Sequence, residues 1–535
     1  MKIKTNTDPE IFGKCFNKSN RDLSIKYRGN LNISEIAKTW SGTGIVIPAG
    51  GIKYGANAYI NIRYIKDTLR SELPIELWSA NRDEQIHARI IFNDLKKRYG
   101  DEIKLINAED VSRIYPFDGN LQGYPIKPFA IFHSSFEEIF YIDSDCFVFM
   151  KPEKLLQHKI YQEHQALFCS DIDLFHETSG RLHEKDNNFR VPRLGTWNQH
   201  THDWKYDKKN PIWDILGIQE DDLPEFESGL ICINKNKHIK ALNNVLFLNE
   251  NHEFTYNYIC GDKDTFKLGW AKEGNKLNLI KDVRPNHRFI QGFLDGQILY
   301  QHRVVDAKYD ANKRWTEFPN SLECHNKHIY RQYFKEMTDT IGNENFENTY
   351  RQKASPDSLM PGSQKGNSER YVEYINGLIE SKKITSILDV GSGGGLMLSH
   401  LNIPQETLVS CLDLSSEAIS MCKETFQQYK NYSYIQKDIC ELSNDKKYDL
   451  VLIKDVFQHL SYRDISLIMT LVEKIAKYAV ITNDCPSKNE DILRSQYRPI
   501  DIIDIYSHEY EHYELYSAGS TTKNIVVYNY NNLNK

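Results

Sequence analysis

Lys127-Pro128-Phe129-Ala130-Ile131-Phe132-His133-Ser134-Ser135-Phe136-Glu137-Glu138-Ile139-Phe140-Tyr141-Ile142-Asp143-Ser144-Asp145 runs from a helical pattern into a strand and ends on two carboxylates. An amphipathic helix begins after Pro128, and Ile139 to Ile142 reads as a buried strand leading directly into Asp143-Ser144-Asp145. In open α/β sheets, ligands bind beyond the carboxyl ends of the strands. Two carboxylates at i and i+2 in that position can meet a hard divalent cation, and Mg²⁺ or Mn²⁺ in turn bridges the phosphate oxygens of a nucleotide. Asp-x-Asp alone is usually a solvated turn; the buried strand before it is what raises the metal reading to an even one.

Upstream, Gly44-Ile45-Val46-Ile47-Pro48 is a buried-strand pattern ending in Ala49-Gly50-Gly51; a helix-like run from Ala56 to Leu69 and a second strand, Leu73 to Trp78, follow. Downstream, a second anchor has the same grammar. Ser386-Ile387-Leu388-Asp389-Val390-Gly391-Ser392-Gly393-Gly394-Gly395 is a buried strand and a glycine-rich turn, with a helix beginning over Leu396 to Leu401. Glycines there let the backbone approach a ligand closely. The next strand, Leu408 to Leu412, ends in Asp413, which suits a ribose diol. Tyr432 to Gln436 ends near Asp438, and Tyr448 to Ile453 leads into Lys454-Asp455-Val456-Phe457-Gln458-His459-Leu460. Strand-like runs alternating with amphipathic stretches predict α/β domains with largely parallel sheets.

The 535 residues exceed the length, about 250–300 residues, at which one core stops growing. The stretch 338–370 lacks a sustained apolar period and is rich in Asn, Ser, Gly, Gln and Pro, a loop or linker composition. It divides the chain into an N-terminal extension (1–39), a first domain (40–335), a linker (336–365) and a second domain (366–535). Hydrophobic residues at 40% and charged residues at 26% are those of a globular protein, not a disordered or collagen-like one. A net charge of −6 without a basic stripe argues against nucleic acid as a partner. The ten cysteines form no CxxC pair and no zinc spacing, which predicts free thiols in a reducing compartment. Met1 to Lys14 lacks the apolar core of a signal peptide, and no run approaches the roughly 18 apolar residues of a membrane span. The expected location is the cytoplasm.

The segment KPFAIFHSSFEEIFYIDSDCFVF resembles the core of fungal-type α-mannosyltransferases, related to α-1,3-mannosyltransferases of the GT-A fold. GIVIPAGGIKYGANAYINIRYIKDTL and LPIELW precede it in the family's order. Glu227-Ser228-Gly229-Leu230-Ile231-Cys232-Ile233-Asn234 and Gly261-Asp262-Lys263-Asp264-Thr265-Phe266-Lys267-Leu268-Gly269-Trp270 follow it. The likeness spans roughly residues 44–310. It implies a GT-A, Rossmann-like domain that transfers a mannose-like hexose from a nucleotide-sugar, GDP-mannose or a UDP-sugar, to a glycan with Mn²⁺ or Mg²⁺. By the same resemblance, Asp143 approaches the ribose and the metal and Asp145 ligates the metal directly. His302, in Tyr300-Gln301-His302-Arg303, is the third ligand. Lys127 and Lys308 face the diphosphate, Glu227 and Ser228 line the sugar pocket, and Asp262 and Asp264 sit near the transferred sugar and the acceptor. Gly180 to Asp222 departs from the pattern. Its Trp197, His200, His202, Trp204 and Trp213 read either as an acceptor-binding insertion or as a surface loop with buried anchors.

The second half resembles class I S-adenosylmethionine-dependent methyltransferases, with HYELYSA and KNIVVYNY as the closing hairpin of a seven-stranded sheet. Asp389, Gly391, Gly393 and Gly395 match the motif that contacts the methionine part, Asp413 the ribose acid, and Asp438 the acid on the adenine amine. MPGSQKGNSERYVEYINGLI, KDVFQHLSYRDI, AVITNDCPSKNEDI and QYRPIDI resemble a subgroup attached to sugar-modifying proteins. In that frame Asn483, Asp484, Tyr497 and Arg498 border the methyl acceptor, and His459 is a base for a sugar hydroxyl. The expectation is a bifunctional glycan-building enzyme. Two other readings make the first domain a non-catalytic glycan-binding module, or send the methyl group to protein or RNA.

Overall fold

The computed structural model describes residues 8–19, 33–115, 117, 119–172, 194, 196–198, 203–205, 209–286, 289–303, 326–351, 365–486, 489, 492, 494–506, 508–518 and 521–530. These fall into two compact units, the first ending at Met337 and the second beginning at Thr338.

The strands of the first unit are β1 (Thr43–Pro48), β2 (Ile75–Ser79), β3 (Ile103–Asn107), β4 (Glu138–Ile142), β5 (Cys146–Val148), β6 (Ala166–Ser170), a hairpin of β7 (Thr196–Asn198) and β8 (Asp203–Lys205), β9 (Phe226–Asn234), β10 (Asn278–Ile280), β11 (Val283–Asn286), β12 (Phe289–Leu294) and β13 (Gln297–Arg303). The main sheet has seven strands in the order β10-β6-β9-β4-β1-β2-β3. β1 runs parallel to β2 and β4, and β9 lies antiparallel between β4 and β6. Ile45, Val46, Ile47 and Phe140 to Ile142 are fully buried, the all-apolar strands that a sheet covered on both faces requires. A second sheet, β11-β12-β13-β5, is antiparallel. Its β13–β5 register places His302 beside Cys146, directly after the Asp143–Asp145 turn.

The second unit is a seven-stranded sheet of β14 (Ser386–Val390), β15 (Leu408–Asp413), β16 (Tyr432–Gln436), β17 (Tyr448–Lys454), β18 (Ala476–Cys485), β19 (Tyr510–Ala518) and β20 (Thr521–Asn529), in the order β16-β15-β14-β17-β18-β20-β19. β14 to β18 pair in parallel, and β20 is antiparallel to β18 and β19, the hairpin read from the two C-terminal runs. The chain reverses order after β16, which returns β17 to the other side of β14 and opens the crevice where such sheets bind ligands.

Some expectations need correction. The N-terminal residues are more than an extension. The helix Pro9–Ser19 buries Phe12 and Phe16 against Ile212, Trp213, Leu216, Leu248 and Leu268, and Ile33, Ile36 and Trp40 join the main core of the first unit. The helix expected after Pro128 starts at Ile126 and is buried from Lys127 to Phe132, so its pattern is all-round apolar burial rather than one face. The loop expected over 338–370 is instead largely two helices, Lys327–Arg351 and Lys365–Lys382, with 352–364 outside the described residues. Tyr330, Phe334 and Met337 recur at helical spacing and are buried. Beyond them the helix is polar because its partners are polar: Asn343 meets Arg494, and Glu347 meets Ser416. The helix start expected over Leu396–Leu401 is a short 3₁₀ turn, Leu398–His400. Among the described residues, no helix is long and apolar enough to cross a membrane.

Candidate active sites

A cavity of about 430 Å³ opens at the carboxyl ends of β1 and β4 in the first unit, lined among others by Lys127, Asp143, Asp145, Glu227, Ser228, Asp262 and His302. Lys127, near the start of the helix Ile126–His133, reaches Asp143 Oδ2 at 2.9 Å, Ser228 Oγ at 2.8 Å and Asp262 Oδ2 at 3.3 Å. Burial works against its charge, but Asp143, Asp262 and Glu227 hold the ammonium well above the ordinary lysine range. His302 Nε2 lies 3.3 Å from Asp145 Oδ1 and 4.0 Å from Asp143 Oδ2, and its other nitrogen lies 2.8 Å from Glu227 Oε1. Burial disfavours the imidazolium, yet Glu227 and Asp145 push its pKa well above the usual value. Burial likewise disfavours the Glu227 carboxylate, and His302 and Lys127 overcome it, holding the group down at about 2.

Gly229 makes this approach possible. A Cβ there would fall 2.8 Å from both Glu227 Oε2 and His302 Nδ1. One ligand atom each from Asp143, Asp145 and His302 lies within 4.8 Å of the others. Two carboxylate oxygens with one imidazole nitrogen suit a divalent ion such as Mn²⁺, and the Glu227 contact on the far ring nitrogen is the outer-shell carboxylate that orients a ligating histidine. The donor set fits the expected cation.

The remaining expected residues divide. Ser228 lines the cavity and accepts from Lys127. Asp262 lines it too; burial, together with the Asp143 charge, raises its carboxyl above the usual range despite Lys127. Asp264, expected near the sugar, is turned away. It is fully buried, accepts from the Cys260 N–H, and stands 3.6 Å from Lys263, which also binds Asp171 at 2.6 Å and Glu225 at 2.8 Å. Asp264 therefore supports Lys263 rather than the cavity. Lys308, His200 and His202 lie outside the described residues. Trp213 is a buried anchor, and Trp197 and Trp204 occupy partnered backbone positions in the β7–β8 hairpin. Tyr54, Trp78 and Glu84 line the cavity but were not picked out. Trp78 ends the quoted LPIELW strand. Glu84 sits in an Asn81-x-x-Glu84 pattern that reads as a helix start and is one: Asn81 caps the Glu84 N–H, and Glu84 accepts from the Ala80 N–H at 3.0 Å.

The second unit has its own cavity, about 470 Å³, whose lining includes Gly391, Asp413, Asp438, Lys454, Asp455 and His459. Gly391 has φ +72°, and a Cβ would meet Val456 at 2.5 Å, so only glycine makes this turn. Gly393 and Gly395 share the positive φ. Asp413 accepts from the Gly393 and Ser415 N–H groups, both at 2.9 Å, which fixes its carboxylate at the end of β15. Burial and the Asp413 charge push Asp389 up to about 7, with Lys454 opposing. Asp438 caps the Cys440 N–H at 2.9 Å and pairs with Arg494; burial raises its carboxyl, but Arg494 prevails and holds it low.

On the acceptor side, His459 lines the cavity, and burial lowers its pKa, leaving a neutral imidazole. Tyr497, 56% exposed, donates to Asp484 at 3.1 Å, with Asn483 buried beside it in the chain. Arg498, expected at the acceptor, is turned inward. Its guanidinium donates to the carbonyls of Phe457 at 2.6 Å and Leu460 at 2.9 Å, fixing the turn that carries His459. Lys454 and Asp455, quoted within KDVFQHLS but given no role, form a network: Asp455 binds Lys454 and Lys523 at 2.6 Å each, and Lys523 reaches Asp484 at 3.4 Å. Asp455 holds φ +59°, a strained position for a residue with a side chain and one common at functional sites.

Comparison with known proteins gives two separate matches. Residues 42–282 match the family model described as "Mannosyltransferase putative", and residues 387–477 match a methyltransferase domain. The alpha-1,2-mannosyltransferase MNN2 of Candida albicans is 24% identical over 271 residues, 45% of this chain and 43% of that protein. The alpha-1,2-mannosyltransferase MNN2 of Saccharomyces cerevisiae is 26% identical over 301 residues, 53% of this chain and 48% of that protein. The chain thus spans less than half the length of these two relatives. The ubiquinone biosynthesis O-methyltransferase of Rickettsia bellii is 32% identical over 74 residues, 14% of this chain and 31% of that protein. A mannosyltransferase-type domain and a methyltransferase domain therefore follow one another in this chain.

Proposed function

We propose that the first unit transfers a mannose-like hexose to a glycan from a nucleotide-sugar, GDP-mannose before UDP-sugars, with Mn²⁺ or Mg²⁺. The second unit, on the same reading, O-methylates a sugar hydroxyl with S-adenosylmethionine. The observation that carries the first half is the convergence of Asp143, Asp145 and His302 in one cavity beside the buried cation Lys127. A divalent cation held by those three residues would offset the negative charge that develops on the leaving diphosphate. Lys127 supplies a second, fixed positive charge with no reorganisation at the moment of bond breaking. Glu227 holds the His302 ring in place, and Ser228 and Asp262 offer hydrogen-bonding groups to sugar hydroxyls.

Bound in the second unit, S-adenosylmethionine would supply its methyl group to an acceptor hydroxyl oxygen and leave as a neutral thioether. The neutral His459 imidazole would take the hydroxyl proton. Arg498 fixes the turn bearing that ring, and in-line positioning carries much of the rate. The likeness of the matched segment to an O-methyltransferase supports oxygen as the acceptor atom.

A donor screen by mass spectrometry, with S-adenosylmethionine and a glycan acceptor present, tests both halves. The expected products carry an added hexose mass and an added methyl mass. No nucleotide-sugar turnover with metal, or turnover untouched in Asp145→Ala, overturns the first half. Absence of S-adenosylmethionine binding by calorimetry overturns the second.

A further inference from the structure

The cavity of the second unit has a wall that neither the glycine turn nor the strand ends supply. Asn345, Phe346, Thr349 and Tyr350, on the last turns of the helix Lys327–Arg351, line it. These residues precede the segment that matches the methyltransferase domain, which begins at residue 387.

The helix end is tied into this unit at several points. Glu347 accepts from the Ser416 N–H with one carboxylate oxygen and from the Ser416 hydroxyl with the other, at the start of the helix that follows Asp413. Asn343 accepts from Arg494 at 3.0 Å, the same guanidinium that pairs with Asp438. Asn345 donates to Ser495 at 3.2 Å. Gly342 lets the helix come this close, since a Cβ there would stand 2.9 Å from the Arg494 carbonyl oxygen. The tethers leave two rings facing the cavity. The Phe346 ring stands edge-on to His459, with centroids 6.2 Å apart at 87°. The Tyr350 phenol is half-buried, and its partial desolvation together with the field of Asp413 and Asp389 keeps it protonated and able to donate.

We propose that Phe346 and Tyr350 are contact residues for the methyl donor, Tyr350 on its ribose and methionine side and Phe346 on its sulfonium side, facing His459. This deepens, and rests on, the reading of the cavity as an S-adenosylmethionine site. A sulfonium is a cation, and an aromatic face attracts a cation that has left water. Two rings at these positions close a pocket whose lining also holds Gly391, Asp413, Asp438 and Val456.

The experiment is calorimetry on the full chain with S-adenosylmethionine and S-adenosylhomocysteine. Tyr350→Ala is expected to weaken both ligands by about tenfold, and Phe346→Ala to weaken the cationic donor more than the neutral product, by about threefold to tenfold. Asn348→Ala, on the same helix but off the cavity wall, is expected to match the wild type. If either alanine variant loses its cooperative melt, Tyr350→Phe and Phe346→Leu take its place and must still weaken the donor. Wild-type binding with every melt-competent wall variant at wild-type affinity overturns this proposal and leaves the donor site standing. Failure of the wild type to bind either ligand overturns the donor site itself, and this proposal with it.

Discussion

Asp389 stands at about 7 because burial strips its solvation and the Asp413 charge faces it, with Lys454 only partly compensating. The raised value means that the folded protein favours the protonated form below about pH 7. The stability this group contributes is therefore complete below its ordinary pKa and is lost as pH rises through about 7. A ligand ammonium at Asp389 selects the ionised form. The dissociation constant of S-adenosylhomocysteine should then fall by about tenfold between pH 6 and pH 8, and the profile should be flat in Asp389→Asn. Calorimetry across that range checks it; equal slopes in both proteins would remove Asp389 from the ligand. Glu227 acts through another side chain. Its bond to His302 leaves the far ring nitrogen directed at Asp145, so Glu227→Gln should cut Mn²⁺ affinity by roughly 10–100-fold while the fold is kept. Mn²⁺ titration by electron paramagnetic resonance reads this directly, and an unchanged affinity would reduce Glu227 to a structural partner.

At the scale of elements, the strand-then-carboxylate motifs were legible because one local run of chain holds both the strand and its functional end: β4 with Asp143 and Asp145, β14 with Asp389 and Gly391, β15 with Asp413. What brings His302 to the first pair is different in kind. The antiparallel register of β13 on β5 does it, a pairing of segments distant in sequence that no local pattern encodes. Only the resemblance pointed to His302. The helix Lys327–Arg351 escaped notice for the opposite reason: its second half is held by polar partners, so it carries no apolar period to read. Asp264 and Arg498 show the limit of motif transfer, since each sits in the expected block but turns its polar group inward, toward Lys263 and the Cys260 N–H in one case and onto two carbonyls in the other. Arg498→Met follows from that geometry. Losing two charge-assisted hydrogen bonds to a buried turn should cost about 2–4 kcal/mol of stability in the second unit. The displaced His459 turn should lower methyl transfer while donor binding stays near wild type. A lowered midpoint of thermal unfolding with intact calorimetric binding is the expected pair of results, and wild-type stability would show that the turn holds itself.

For the whole molecule, the two cavities lie in separate compact units, each with its own core and its own buried charges. Substitutions with no shared partners add independently. Asp145→Ala should therefore abolish hexose addition without altering S-adenosylhomocysteine affinity, and Asp389→Asn should weaken methyl-donor binding without altering metal-dependent nucleotide-sugar turnover. The product pattern carries a further consequence. If the methyl group is placed on the sugar just added, Asp145→Ala will yield neither mass increment on an unextended glycan, yet will methylate a glycan already bearing the terminal hexose. If the two units act on unrelated acceptors, Asp145→Ala will leave the methyl increment intact on the unextended glycan. Mass spectrometry of both acceptors with both variants separates these outcomes. Sequential action is the expected one, because a covalent link raises the effective concentration of one unit's product at the other when that product is its acceptor.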